Sequence, residues 1–195
     1  MDSGFRFASI LTSVVLAGVS ALTLARANSS GGQQICDGRY ALCSSAACSI
    51  DAKDPQHATC RCEGPLDGLN IGDSTCQSRA ATLTSTFSVW DLTRTAKKAA
   101  KHSLACTGED AGVWAFCLDA PCAVHADGSV TCHCTMSEAS DYYTFTDACP
   151  ADAKARHAAC GRVWSAALQA ELLSGYSQLW SFYADIPKLE YCPVR

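Results

Sequence analysis

The sequence predicts a small, disulfide-rich α+β protein: two related cysteine-rich units of short strands, followed by a helical C-terminal arm. Three observations carry this. Fourteen cysteines follow an apolar leader. Twelve of them fall into two sets of six with nearly the same spacing. After residue 151, apolar side chains recur at three- and four-residue intervals, the period of one helix face.

The leader, "MDSGFRFASILTSVVLAGVSALTLARA", has Arg6 near its start, an apolar run from Phe7 to about Leu24, and Ala25-Arg26-Ala27 at its end. This basic, apolar, small-residue order is that of a secretory signal peptide cleaved after Ala27. Ser9, Thr12, Ser13, Gly18 and Ser20 interrupt the run, which argues against a retained membrane anchor. No cysteine lies at lipoprotein distance, because the first is Cys36. No later stretch approaches the ~20 apolar residues that a helical span needs. The expected layout is a signal peptide (1–27), a first cysteine-rich repeat (28–80), a linker strand and helix (81–104), a second cysteine-rich repeat (105–150) and the helical arm (151–195).

Leaving out Arg6, Arg26 and Asp2, the processed chain carries 13 basic and 18 acidic residues. Its one basic cluster, "TRTAKKAAKH" at 93–102, reads as a solvated helix face. Nucleic-acid binding is disfavoured, since neutralising phosphates takes clustered Lys and Arg.

The first set of cysteines is Cys36, Cys43, Cys48, Cys60, Cys62 and Cys76, with gaps of 6, 4, 11, 1 and 13 residues. The second is Cys106, Cys117, Cys122, Cys132, Cys134 and Cys149, with gaps of 10, 4, 9, 1 and 14. "YALCSSAAC" aligns with "WAFCLDAPC", and "ATCRCEG" with "VTCHCTM", so the sequence reads as an internal duplication. Cys160 and Cys192 flank the last segment. An even count behind an export signal points to cystines, and all fourteen are disulfide candidates.

Ala58–Glu63 and Ser129–Met136 follow turn formers, "KDPQH" and "HADGS", and are predicted strands. Residues two apart on a strand share a face. Each Cys-X-Cys pair should therefore point inward, with Thr59/Arg61 and Thr131/His133 outward. The two sulfurs of each pair should then go to different partners. Residues 80–93 are a predicted strand and 94–104 a short helix. The helix of the arm should run from about 151 to 183 on Trp164, Leu168, Leu172, Leu179, Trp180 and Tyr183. Gly175 would kink it and Pro187 end it. A Cys160–Cys192 bridge would close the arm on itself.

The spacing of each set resembles the epidermal-growth-factor-like module, although the Gly-aromatic pair after the fifth cysteine is missing from both. That resemblance implies bridges Cys36–Cys48, Cys43–Cys60, Cys62–Cys76, Cys106–Cys122, Cys117–Cys132 and Cys134–Cys149. In texture, "YALC", "CRCEG…NIG" and "WAFCLDAPC" resemble a group of uncharacterised exported bacterial proteins with the same duplicated arrangement, a resemblance that implies no activity. A rival frame also exists. "STFSVW" at 85–90 resembles "SGYSQLW" at 174–180, which would set repeats at 43–106 and 117–192 with the halves bridged to each other.

Chemistry is sparse. His125, His133, Cys132 and Cys134 lie close in sequence, and His57 lies near Cys60 and Cys62. Imidazole and thiolate together suit copper or zinc. Yet Arg61 takes the place of His133 in the first unit, and the cysteines are better read as cystines, so no metal ligand and no cofactor are assigned. No Cys-X-X-Cys is present for redox work. Ser, His102, His157 and Asp show no spacing that joins them into a hydrolase, so no catalytic residue is assigned. Tyr142, Tyr143 and Phe145, with Trp90, Trp114, Trp164 and Trp180, fit a core covering the cystines better than a carbohydrate or peptide groove. The reading is a secreted or periplasmic, disulfide-stabilised protein with a non-enzymatic binding or structural role and an unknown protein or glycan ligand. The alternative is a small secreted enzyme or metal-binding protein.

Overall fold

The computed structural model describes residues 33–88, 102–146, 148–168 and 190–193. The expected signal peptide, Trp90, the helix over 94–101 and residues 169–189 of the arm lie outside them.

The described chain is mostly strand. In order it forms β1 (Gln34–Leu42), β2 (Cys48–Ile50), β3 (His57–Gly72), α1 (Cys76–Ala81), β4 (Ser85–Ser88), β5 (His102–Cys106), β6 (Ala115–Phe116), β7 (Cys122–Val124), β8 (Val130–Met136), β9 (Tyr142–Thr146), α2 (Ala153–Cys160) and β10 (Glu190–Tyr191). One seven-stranded sheet runs β1-β4-β3-β8-β6, with β2 added on β3 and β7 on β8. A second sheet has the order β10-β5-β9. Among the described residues no helix is long and apolar enough to cross a membrane.

The two Thr-Cys-X-Cys segments are strands, as their alternation requires, and they lie against each other. In the antiparallel β3–β8 pair, Cys60 faces Cys132, Thr59 faces His133 and Arg61 faces Thr131. Cys60, Cys62, Cys132 and Cys134 are buried, while Thr59, Arg61 and His133 are exposed. β2 pairs with β3 with Cys48 opposite Cys60, and β7 pairs with β8 with Cys122 opposite Cys132. At both places cystines link the register partners, Cys48–Cys60 and Cys122–Cys132. Cys43–Cys62 and Cys117–Cys134 add a second rung beside each.

The remaining bridges are Cys36–Cys76, Cys106–Cys160 and Cys149–Cys192. None of the module-type pairings is formed, and neither is Cys160–Cys192. The physical reason is the hairpin. Folding β2 back onto β3 puts the nearer partner, Cys48, against Cys60 and the farther one, Cys43, against Cys62. The nesting is therefore set by antiparallel register. All fourteen cysteines are used, and no bridge joins residues before 89 to residues after 101; of the bridge between halves that the rival frame expected, Cys106–Cys160 alone joins 43–106 to 117–192.

These cystines stand where large aliphatics usually do. The main core cluster consists of Ala41, Cys43, Ala46, Ala58, Cys60, Cys62, Ala115, Cys117, Ala120, Val130, Cys132 and Cys134. So little apolar volume gives a marginal core. Each short-loop bridge contributes about 3 kcal/mol on a chain-entropy estimate. A second cluster gathers Leu104, Trp114 and Tyr142 around Cys106, Cys160 and Cys192.

β3 pairs with β8 over His57–Cys62 and antiparallel with β1 over Glu63–Gly72, and Gly64 lies at the change. At φ 136° it marks the step from β8 pairing to β1 pairing, and a Cβ there would lie 3.2 Å from the Tyr40 carbonyl.

Among the described residues, the helix expected in the arm covers only Ala153–Cys160. α2 begins at its Asp152 cap, whose carboxylate accepts from Ala155 N–H at 2.7 Å. It stops at Gly161, whose N–H donates to the His157 carbonyl. Trp164 and Leu168 are not helical. Their stretch is extended and bridges Ala47, Ala115 and Tyr143 through Trp164, Ser165 and Ala167. Residues 102–104, expected at the end of a helix, belong to strand β5. Each helix is tied to a strand by a cystine and a buried arginine. Arg79 of α1 donates to Asn70 Oδ1 and to the Gln34 carbonyl, and Arg156 of α2 donates to the carbonyls of Ala105 and Pro193.

Candidate functional site

Two loops following β1 and β6 carry equivalent cysteines, Cys43 and Cys117. Each is held by a serine from the opposite half. Ser85 Oγ donates to the Cys117 carbonyl, and Ser165 Oγ donates to the Cys43 carbonyl. Backbone bonds repeat the exchange: Ser85 N–H to Ala120 O, and Ser165 N–H to Ala46 O, both at 2.9 Å. Both serines are 1 % exposed.

Between these crossings lies a small open cleft of about 20 Å³. Cys43, Ser44, Cys117 and Leu118 form its loop walls, Thr86 and Ser165–Ala167 its floor, and Tyr143 and Phe145 of β9 its aromatic side. The Tyr143 backbone is fixed by two bonds with Ala167, and its ring meets Tyr191 edge-on at 6.4 Å. The lining is apolar except for hydroxyls, and one of these is unusual. Thr86 is 3 % exposed, and its Oγ1 has no hydrogen-bond partner. A buried hydroxyl left unpaired costs roughly 1–3 kcal/mol. Concave, apolar sites with a few placed polar groups are the usual form of ligand pockets.

The aromatics that the sequence offered divide between core and cleft. Trp114 and Tyr142 are core, 1 % and 0 % exposed. Trp114 Nε1 donates to Ala139 O at 2.7 Å and Tyr142 O–H to Cys160 O at 2.8 Å. Burial pushes the Tyr142 phenol up to about 12, with the Asp110 carboxylate adding to the effect. Trp164 is half-buried, and its Nε1 donates to Ala159 O. Tyr143 and Phe145 face the cleft. Thr86 carried no signal in the sequence, because nothing local marks a threonine that will be buried without a partner.

The histidines are rearranged relative to their order in the chain. His125, near Cys132 in sequence, bonds Thr131 Oγ1 through Nε2 at 2.8 Å. His57 of the first half and His133 of the second stack face to face, with ring centroids 4.4 Å apart and planes 14° apart. His57 Nδ1 lies 2.7 Å from Asp54 Oδ2, and this bond holds the Asp54 carboxyl below its ordinary value. His157 lies 3.3 Å from Asp110 at the surface.

Two groups of three cysteine sulfurs do gather, Cys43/Cys62/Cys132 and Cys48/Cys60/Cys117. All six are half-cystines, with no thiolate to offer an ion.

A second polar cluster surrounds Gly72. Asp73 is raised above its ordinary value, first by burial and then by Asp119, with Arg79 opposing. Asp119 Oδ2 accepts from Ser74 N–H, while its Oδ1 and Arg79 Nε are buried without partners. Arg79 already spends its other nitrogens on Asn70 and the Gln34 carbonyl, so the cluster pins α1 to the sheet.

No family model matches the chain, and no curated protein and no solved structure matches it.

Proposed function

We propose that this chain is an exported binding protein without catalytic activity, and that the cleft between the Cys43 and Cys117 loops is its ligand site. The N-terminal segment acts as a cleaved signal peptide, and the chain works in a secreted or periplasmic setting. Seven cystines, which form and persist in oxidising compartments, support that placement. The two cysteine-rich units descend from one duplicated unit. The cleft then lies where the closing serines of the two copies cross.

The observation that carries the reading is the Thr86 hydroxyl, buried and unpartnered on the floor of a cleft whose side is Tyr143 and Phe145. An aromatic side with one polar anchor suits an apolar peptide side chain or the face of a sugar, so the ligand class is a protein or a glycan. The processed protein should be used as bait in its native secretome, beside a glycan array and a panel of hydrolase substrates. Expected is a saturable ligand that is lost in Phe145→Ala while near-UV circular dichroism is unchanged. Thr86→Val should weaken that ligand, yet stabilise the ligand-free protein by about 1 kcal/mol, because it removes an unpaired buried hydroxyl. Turnover of any substrate abolished by a single Ser, His or Asp substitution that leaves the fold intact would overturn the reading.

A further inference from the structure

We infer that His57 and His133 form a surface site for one borderline divalent cation, with Cu²⁺ bound tightest. The site lies on the outward face of the β3–β8 pair, the face opposite the cystines, and is independent of the cleft.

Three features support it. The first is position. His133 faces Thr59, so His57, two residues before Thr59 on β3, is its diagonal neighbour on the same face. The rings are already in contact, with centroids 4.4 Å apart. The second is protonation geometry. Asp54 is a carboxylate and only accepts, so the 2.7 Å contact makes His57 Nδ1 the donor. In the neutral ring this leaves the lone pair on Nε2, the atom that a metal takes. A carboxylate behind a ligating imidazole is the recurrent way to orient such a ligand and raise its basicity. The third is rigidity. β3 is held by Cys48–Cys60 and Cys43–Cys62, and β8 by Cys122–Cys132 and Cys117–Cys134. The two backbones therefore keep their separation, and only side-chain torsions adjust.

That adjustment is needed, because near-parallel rings hold their lone pairs in separate near-parallel planes. Rotation about the broad Cβ–Cγ torsion of His133 turns its nitrogen toward an ion on His57 Nε2, while Asp54 keeps the His57 ring in place. Water completes the coordination. Imidazole nitrogen favours Cu²⁺ over Zn²⁺ in the divalent series. The other side chains of this face are Thr59, Thr131, Thr135 and Arg61, and Arg61 is the one charge that opposes a cation.

The test uses the full processed protein with its cystines intact. Cu²⁺ is titrated against a weak competing chelator and followed by electron paramagnetic resonance. Expected is one equivalent whose spectrum shows coupling to two imidazole nitrogens. His57→Gln and His133→Gln should each weaken binding at least tenfold, and the double variant little further than either. Asp54→Asn should weaken it about tenfold while keeping the two-nitrogen spectrum, as loss of an orienting partner does. His125→Gln is the control and should change nothing. Binding unchanged in His57→Gln or His133→Gln, a one-nitrogen spectrum, or affinity no greater than that of the double variant would each overturn the assignment. Near-UV circular dichroism and a thiol count of zero establish that every variant is folded.

Discussion

Ser165 is where one half of the molecule closes the other, and replacing it with Ala should be felt strongly. Its Oγ accepts from Ala46 N–H at 2.8 Å and donates to the Cys43 carbonyl. Both bonds lie in the buried main cluster, where Ala46 is 8 % exposed and Ser165 1 %. Ser165→Ala leaves the Ala46 N–H with no acceptor and removes one donor from Cys43 O. An unpaired buried group costs about 1–3 kcal/mol. The N–H dominates, because the carbonyl has a second lone pair, so the expected loss is about 2–3 kcal/mol. For a domain with so thin an apolar core, that is a large share of the total. The assay is urea unfolding with cystines intact, followed by tryptophan fluorescence, with m compared between variants so that a changed denatured state is not mistaken for a changed fold. Ser49→Ala, on exposed β2, should stay within about 0.5 kcal/mol of the parent. If Ser165→Ala also stays within that margin, the cross-half bond does not hold the loop, and the account of the crossing fails.

Two further outcomes follow from buried groups. Tyr142, raised to about 12 from 10, should ionise well above pH 10 in a rapid pH jump followed by tyrosinate absorbance. An acid whose folded value is raised keeps its full contribution below pH 10 and loses it as pH climbs toward 12, where the unfolded phenol is already ionised. The total loss is about 3 kcal/mol. A tyrosine population ionising together near pH 10 with the fold intact would refute this. Gly72→Ala would drive a Cβ into Asp119 Oδ1 and to 2.8 Å from Arg79 Nη1. It should cost about 1–3 kcal/mol, read as a lower midpoint of thermal unfolding, and an unchanged midpoint would mean that this buried cluster yields freely.

The inward cysteines and outward Thr59, Arg61 and His133 were legible because strand alternation is local. So were the two turns. At "HADGS", His125 N–H bonds Ser129 O, and Gly128 takes φ 81°. The cystine partners were not legible. Which sulfur meets Cys60 depends on how β2 folds back onto β3, a register that spacing alone leaves open. The arm misled for a related reason. Trp164 and Leu168 have helical spacing, but Gly161 ends α2, and the next residues find backbone partners in three other segments instead. The buried arginines Arg79 and Arg156 look like ordinary surface cations until the carbonyls they reach are known. Of the described aromatic candidates, Trp114 and Tyr142 are core and Trp164 packs against it, while Tyr143 and Phe145 line the cleft. The histidine stack belongs to the same class. His57 and His133 meet only because β3 pairs with β8, a contact between distant parts of the chain.

The covalent map and the contact map of this protein divide it differently. Every cystine closes within its own half, while Ser85, Ser165 and the β3–β8 pair interlock one half with the other. Each half can thus complete its sulfur chemistry before its last strand has a surface to rest on. One stretch of chain, 89–101, joins the two halves in sequence. A clasp of this kind is indifferent to whether its mate comes from the same molecule. Two chains trading halves would satisfy every one of these bonds without forming a new one.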